Sequence, residues 1–442
     1  MSRRRITLVN QFFPPSAAPT AHLAASLAEH LAERGDVVTV IGGRSGYLGS
    51  GGRSRHRRRH GEVRVICLWT SALGKGSIVR RLFDYVSFLV GATVRLALLR
   101  RQDVVISLTT PPFVVVSALA HKALHRRTRV VLWSMDCYPD VIENLGSRTE
   151  GGPVVHVGPE SRRQRAVARL RDALRPIASP RRGGPMSVAL RGLNRAVFAR
   201  LDHLVALDEA MRDLLLAGYG SPDRQQPSAT VIPNWERAED HSAGAEIVPW
   251  GGYADDALRD RFVVLYLGNL GYGHHVETVT AAAGRLGPDE RVAWLFVGGG
   301  VRWEQLEGQA ASEGAGDRVV QREYVDKSET PAVMAGADCA LIVLADEALG
   351  LMSPSKLHAN LAAGLPIVYI GPAGSNVDEA ITRFACGVSL RTGDVDGLVA
   401  TVCRLRNDDG WRAELSANAR RAFDEAYSDR AALPQWDEVL DA

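Results

Sequence analysis

In this 442-residue chain, the feature that most restricts the fold is a rhythm: short β-branched runs alternate with amphipathic stretches, and the series occurs twice. In the first half, strand-like runs at 6–10, 37–41, 104–108 and 130–133 are interleaved with helix-patterned stretches at 20–34 and 112–125. Strand, helix, strand in succession needs crossover connections, and crossovers make neighbouring strands parallel. The series restarts at 262–267, followed by a helix from about 275 to 286 and strands at 292–297, 340–344 and 366–370. Two doubly wound α/β sheets follow one another. Residues 234–260, rich in Gly, Pro, Asp and Glu, read as the linker between them. The expected division is a first domain over 1–235 with an insert at about 147–185, a linker over 236–260, and a second domain over 261–425. A last helix over 426–442 is expected to pack back toward the first domain. Open parallel sheets bind ligands beyond the carboxyl ends of their strands, so two facing sheets define a central cleft.

With 46 % apolar and 23 % charged residues, the chain has the composition of a folded, soluble protein. Its cysteines (Cys67, Cys137, Cys339, Cys386, Cys403) are scattered and form no CxxC pair, which argues against a disulfide framework or a zinc site. A reducing cytoplasm fits, and residues 1–10 lack the apolar core of a signal peptide. The net charge of +3 conceals an asymmetry: of 53 Lys+Arg and 50 Asp+Glu, residues 236–442 hold 18 and 33. The basic first half is expected to meet something anionic, with a membrane surface or a lipid-linked diphosphate favoured. Phe198 is the single Phe, Tyr or Trp within the arginine-rich inserts at 53–60 and 148–200, which weighs against nucleic acid. Solvated loops are the plainer reading of both inserts. The longest apolar run, 85–94 within 82–99, is interrupted by Asp84 and Arg95, too short for a membrane span. It reads as a helix packed on the sheet, with a helix lying in the membrane interface as the alternative.

Three segments carry chemistry in the second half. A strand runs into Gly268-Asn269-Leu270-Gly271-Tyr272-Gly273, a turn whose backbone N–H groups suit a diphosphate, with His274 and His275 beside it. A second strand ends in Gly298-Gly299-Gly300, where a flat group such as a base can approach the backbone. After a third comes Ser353-Pro354-Ser355-Lys356, read as a helix start that offers amides, two hydroxyls and an ammonium to phosphate. A plain capped helix explains the serine and the proline, but not a lysine where the dipole disfavours cations. In the first half Asn10 to Pro15, Thr109-Thr110 and the segment from Trp133 to Asp140 close strands at the cleft. There Phe13, Thr109, Thr110, Asp136 and Asp140 are candidate acceptor contacts, and His22 a contact for phosphate or acceptor.

Together these segments resemble the family-four glycosyltransferases of GT-B architecture, and are similar to the colanic-acid and O-antigen glycosyltransferases. The residues that carry the resemblance are Tyr266 to Gly271, Phe296 to Gly300, Ser353 to Leu357, Leu361 to Pro366, Ile370 to Pro372, and Asp136 with Tyr138-Pro139-Asp140. The resemblance implies two Rossmann-like domains and a retaining transfer from a nucleotide diphosphate sugar, UDP-sugar favoured. It further implies a lipid-linked saccharide acceptor at the inner membrane face, and no metal or other cofactor. It places Gly268, Asn269, Gly271, His274, Gly298, Gly299, Tyr324, Ser353, Ser355 and Lys356 at the donor, with Lys356, Asp136 and His22 in catalysis. The chain departs from the family at two positions where many members carry glutamates, here Leu351 and Ala359. Asp346 and Glu347 are the nearest substitutes. A UDP-sugar 2-epimerase of the same fold and an inactive scaffold are the competing functions.

Overall fold

The computed structural model describes residues 3–16, 18–44, 57–69, 78–145, 183–221, 226–241, 247–287 and 290–442. Residues 53–56 and 148–182 of the two basic inserts lie outside the described residues. Strands β1 (Arg5–Val9), β2 (Val37–Gly43), β3 (Arg57–His60), β4 (Val63–Leu68), β5 (Val104–Leu108), β6 (Arg129–Trp133), β7 (His203–Ala206) and β8 (Ser228–Val231) build one sheet. Their order is β3-β4-β2-β1-β5-β6-β7-β8, parallel except for the β3–β4 pair. The second sheet contains β9 (Phe262–Asn269), β10 (Val292–Gly299), β11 (Val319–Arg322), β12 (Cys339–Val343), β13 (Ile367–Ile370) and β14 (Gly387–Leu390). It is fully parallel in the order β11-β10-β9-β12-β13-β14. The two sheets match the two-domain α/β architecture expected for GT-B proteins.

Central-strand residues such as Ile6, Leu8, Val40, Val105 and Val131 in the first sheet are wholly buried, because helices, the first of them α1 (Pro19–Glu33), cover both faces. Each sheet has one strand flanked by partners whose connections leave in opposite directions: β1 between β2 and β5, β9 between β10 and β12. The crevice opens at the carboxyl end of such a strand, so residues 10–16 and 268–274 face the cleft.

Part of the second basic insert is regular: Pro185–Phe198 is a helix, started by Pro185 after Gly184, with Val197 and Phe198 buried. The linker is docked to the protein body. Trp235 stacks on Trp133 of β6 (centroids 5.4 Å apart, 10° between planes) and its Nε1 donates to Ser26 Oγ at 3.1 Å. The last helix, Asp429–Asp441, crosses to the first sheet. There Trp436 meets Trp133 edge to face at 4.8 Å, and Arg4 and Arg129 donate to the carbonyls of Leu440 and Val439. Three tryptophans from β6, the linker and the final helix thus close the junction.

Trp436 is fully buried, so Trp436→Ala is expected to cost about 3–5 kcal/mol, read as a lower urea midpoint. Asp441→Ala, which removes an exposed ion pair with Arg4 from the same helix, is expected to shift it by under about 1 kcal/mol.

Candidate functional site

Strands β9 and β10 stay paired to their very ends, with Gly298 opposite Gly268 and Gly299 opposite Asn269. The contact continues past them, as Leu270 N donates to the Gly299 carbonyl at 2.7 Å. The two loops touch backbone to backbone. A Cβ on Gly298 would collide with the Gly268 carbonyl and one on Gly300 with the Leu270 backbone, and Gly268, Gly298 and Gly300 have φ of 125°, 147° and 137°. Glycine is therefore a steric requirement at these positions.

Lys356 lies over this platform. It is the first residue of the short helix Lys356–Ala362, and a Cβ on Gly268 would sit 3.2 Å from its Cε. Its Nζ donates to the Asn269 carbonyl at 3.3 Å, reaches His274 Nε2 at 3.4 Å and stands 4.8 Å above the Tyr266 ring. Tyr266 donates its hydroxyl to the same carbonyl at 2.8 Å, which fixes the ring under the lysine. His274 is buried, not an exposed turn residue, and burial beside Lys356 pushes its pKa down to about 3. The neutral imidazole has one acceptor nitrogen, which serves either the Lys356 ammonium at Nε2 or the Gly271 N–H at Nδ1, 3.2 Å away, and not both. Desolvation lowers the Lys356 pKa to about 8, leaving it mostly cationic at neutral pH. Among the described residues its partners are a carbonyl, an imidazole and a π face, none of them an anion. Beside it opens a cavity of about 730 Å³ with the triple glycine, Trp303, Glu304 and Tyr324 in its wall. The exposed Tyr324 ring packs on Gly299 and its hydroxyl reaches Asn269 Oδ1 at 3.4 Å.

The lysine, the glycines, Asn269, Gly271, His274 and Tyr324 are thus brought together, but the serines are not. Ser353 precedes the helix and its hydroxyl engages the buried Asp208 carboxylate of the first domain. Ser355 is exposed and its hydroxyl does not cap the helix. Leu351 is buried, and its carbonyl accepts from Cys137 N at 3.0 Å. Asp346 accepts from Thr392 and Glu347 pairs with His275 at 3.6 Å, so neither stands in for the family's glutamates.

On the first domain the expected acceptor residues separate. Thr109 Oγ1 accepts from the backbone N–H groups of Met135 and Asp136. Thr109 and Asp136 line a half-open cavity of about 30 Å³, room for about one water and not for a sugar. Asp140 is a structural carboxylate: Tyr219 and Arg191 take its two oxygens, and Arg191 also bridges to Glu143 at 2.6 Å. Phe13 is buried against Gly42, with its ring edge-on to His60, and Thr110 accepts from Gln11 N through its carbonyl. His22 is exposed at the start of the first helix, its pKa lowered first by desolvation and then by Lys327 and Arg237. Tyr266 and Asp208 were not evident from the sequence; an aromatic before a glycine turn is the one signal for the former.

Two families together span most of the chain: "Glycosyl transferase 4-like domain" matches residues 20–235 and "Glycosyl transferases group 1" matches 256–422. WbjE of Pseudomonas aeruginosa, assigned as a glycosyltransferase, is 23 % identical over 57 % of this chain and 61 % of its own length. WcaI of Escherichia coli, assigned to colanic acid biosynthesis as a glycosyl transferase, is 26 % identical over 51 % of this chain and 54 % of its own. The matched stretch therefore covers less than two thirds of either relative. In fold the chain is similar to sucrose-phosphate synthase of Thermosynechococcus elongatus (TM-score 0.66, 16 % identity, 99 % and 98 % of the two chains). It is also similar to Anabaena HepE in complex with UDP-glucose (TM-score 0.63, 13 % identity, 99 % and 100 %).

Burial alone raises the Asp136 carboxyl from 3.8 to about 6, so the fold favours its neutral form. That preference stabilises fully below about pH 4 and is lost as pH rises through 6. Asp136→Asn is expected to be more stable than the parent by about 3 kcal/mol at pH 8 and by under about 1 kcal/mol at pH 4. Urea unfolding at both pH values checks this; equal midpoints at pH 8 would contradict it.

Proposed function

Because the chain belongs to the group 1 glycosyltransferases of GT-B fold, we propose that it moves a sugar from a nucleoside diphosphate sugar, with Lys356 meeting the diphosphate. The observation that carries this reading is the Lys356 ammonium, held by neutral groups beside a roomy glycine-walled cavity. The diphosphate supplies the missing anion. The cavity accommodates the base against the exposed Tyr324 ring, and UDP is favoured because a neighbour of this fold is described in complex with UDP-glucose. In transfer the C1–O bond to the diphosphate breaks with an oxocarbenium-like transition state, and negative charge grows on the departing oxygen next to Lys356 Nζ. A donor aimed at developing charge lowers that barrier more than it strengthens ground-state binding. The acceptor oxygen bonds to C1 and loses its proton, for which the neutral His22 is available on the acceptor side. Transfer with retention to a lipid-linked saccharide in bacterial surface-polysaccharide synthesis, at the cytoplasmic face of the membrane, completes the reading. The similarity to WcaI, named for colanic acid biosynthesis, and the basic first half support it.

Lys356→Ala is expected to lower sugar transfer by about 100- to 1000-fold with an unchanged melting midpoint. Turnover equal to that of the parent would overturn the assignment. With UDP-N-acetylglucosamine alone, no epimerised hexosamine is expected; its appearance would favour an isomerase. Since the free Lys356 titrates near 8, kcat/KM should fall as pH rises from 7 to 9.5, and the Lys356→Ala variant should lack that limb.

A further inference from the structure

The helix α2 (Ile78–Ala97) connects β4 to β5 and packs beside α3 (Val115–Leu124), where His121 Nδ1 donates to the Leu96 carbonyl at 2.8 Å. Its inward side is Phe88, Ala92 and Leu96, all fully buried. A surface helix normally turns a polar face to water. Here the outward side is Phe83, Val86, Val90, Val94 and Leu98, exposed by 55, 49, 56, 54 and 72 %. At 100° per residue these five fall within about 120° of helix circumference, a continuous apolar stripe. Ser87, on the stripe between Val94 and Leu98, and Thr93, at its edge, turn their hydroxyls back into the helix, to the Asp84 and Leu89 carbonyls. At the end where α2 and α3 meet, Leu124 is 62 % exposed and Arg100, Arg126 and Arg127 are exposed around it.

We propose that this stripe docks on an anionic lipid bilayer, lying in the headgroup plane with the arginines at its end on lipid phosphates. The inference deepens the reading of a membrane-borne acceptor and rests on it. Among the described residues no helix is long and apolar enough to cross a membrane, so the attachment is lateral. Charge selects the occupant. The stripe belongs to the basic half of the chain, where cations outnumber carboxylates 35 to 17, and its rim is arginine. A second copy seated on the same face would bring two such rims together, a like-charge contact that an anionic bilayer turns into attraction.

The test is flotation of the full chain with vesicles of phosphatidylcholine alone or with about one third phosphatidylglycerol. Salt-sensitive binding to the anionic vesicles is expected, and Val90→Glu/Val94→Glu should weaken it at least tenfold while the melting midpoint and UDP titration stay those of the parent. The single variant Leu98→Glu, at the helix end, should weaken binding in the same direction. Undiminished flotation of folded variants would overturn the proposal, as would light scattering that shows the parent to be a dimer split by these substitutions. Loss of UDP binding in the parent, with flotation intact, would instead count against the transferase reading alone.

Discussion

The site depends on one close approach: the loops after β9 and β10 meet without side chains between them. All three of Gly268, Gly298 and Gly300 have a left-handed φ that disfavours a side chain, and at Gly298 and Gly300 a Cβ would also collide with neighbouring backbone. With that space cleared, the Lys356 side chain lies flat across Gly268 and reaches the Asn269 carbonyl. The result is an electrostatic asymmetry. A cation is partly desolvated, oriented by Tyr266 and the neutral His274, and left for an anion from outside the chain to complete. Orientation by neutral groups matters, because a carboxylate partner would satisfy the lysine and weaken its pull on phosphate.

The division of labour between the halves follows from their sheets. The second sheet places its glycine platform at the end of β9, where connections diverge, and the first presents the end of β1 and helix Pro19–Glu33, with His22, from the other side. They are joined by Trp133, Trp235 and Trp436, and by direct contact of the Asp136–Cys137 backbone with Leu351 and Met352. Ser353 and Asp208 add a hydrogen bond across that contact. The segment that leads into the Lys356 helix is thus braced by the opposite domain.

Much of this was legible in the sequence for a simple reason. Parallel strands buried on both faces are continuous apolar runs, and the central strands of both sheets were read directly. Short edge strands such as β8 (Ser-Ala-Thr-Val), β11 (Val-Val-Gln-Arg) and β14 (Gly-Val-Ser-Leu) carry polar residues and no such signal. At the site, local chemistry was readable and long-range pairing was not. Lys356 was conspicuous as a cation at a helix start, and the glycines as turns. Nothing local reveals that Ser353 is claimed by Asp208, that Asp140 serves Arg191 and Tyr219, or that His274 is buried, because each depends on distant residues. The stretch 82–99 shows the same limit: its apolar character was plain, but which face remains outside is decided by α3 and the sheet.

The most direct measurement is a crystal structure with UDP bound. The distal phosphate should lie within hydrogen-bond reach of Lys356 Nζ, over Gly268, with the uracil in the cavity bounded by Gly299 and Tyr324. Phosphates seated away from Lys356, against the arginines of the first domain for example, would contradict the assignment of this lysine as the donor's charge partner.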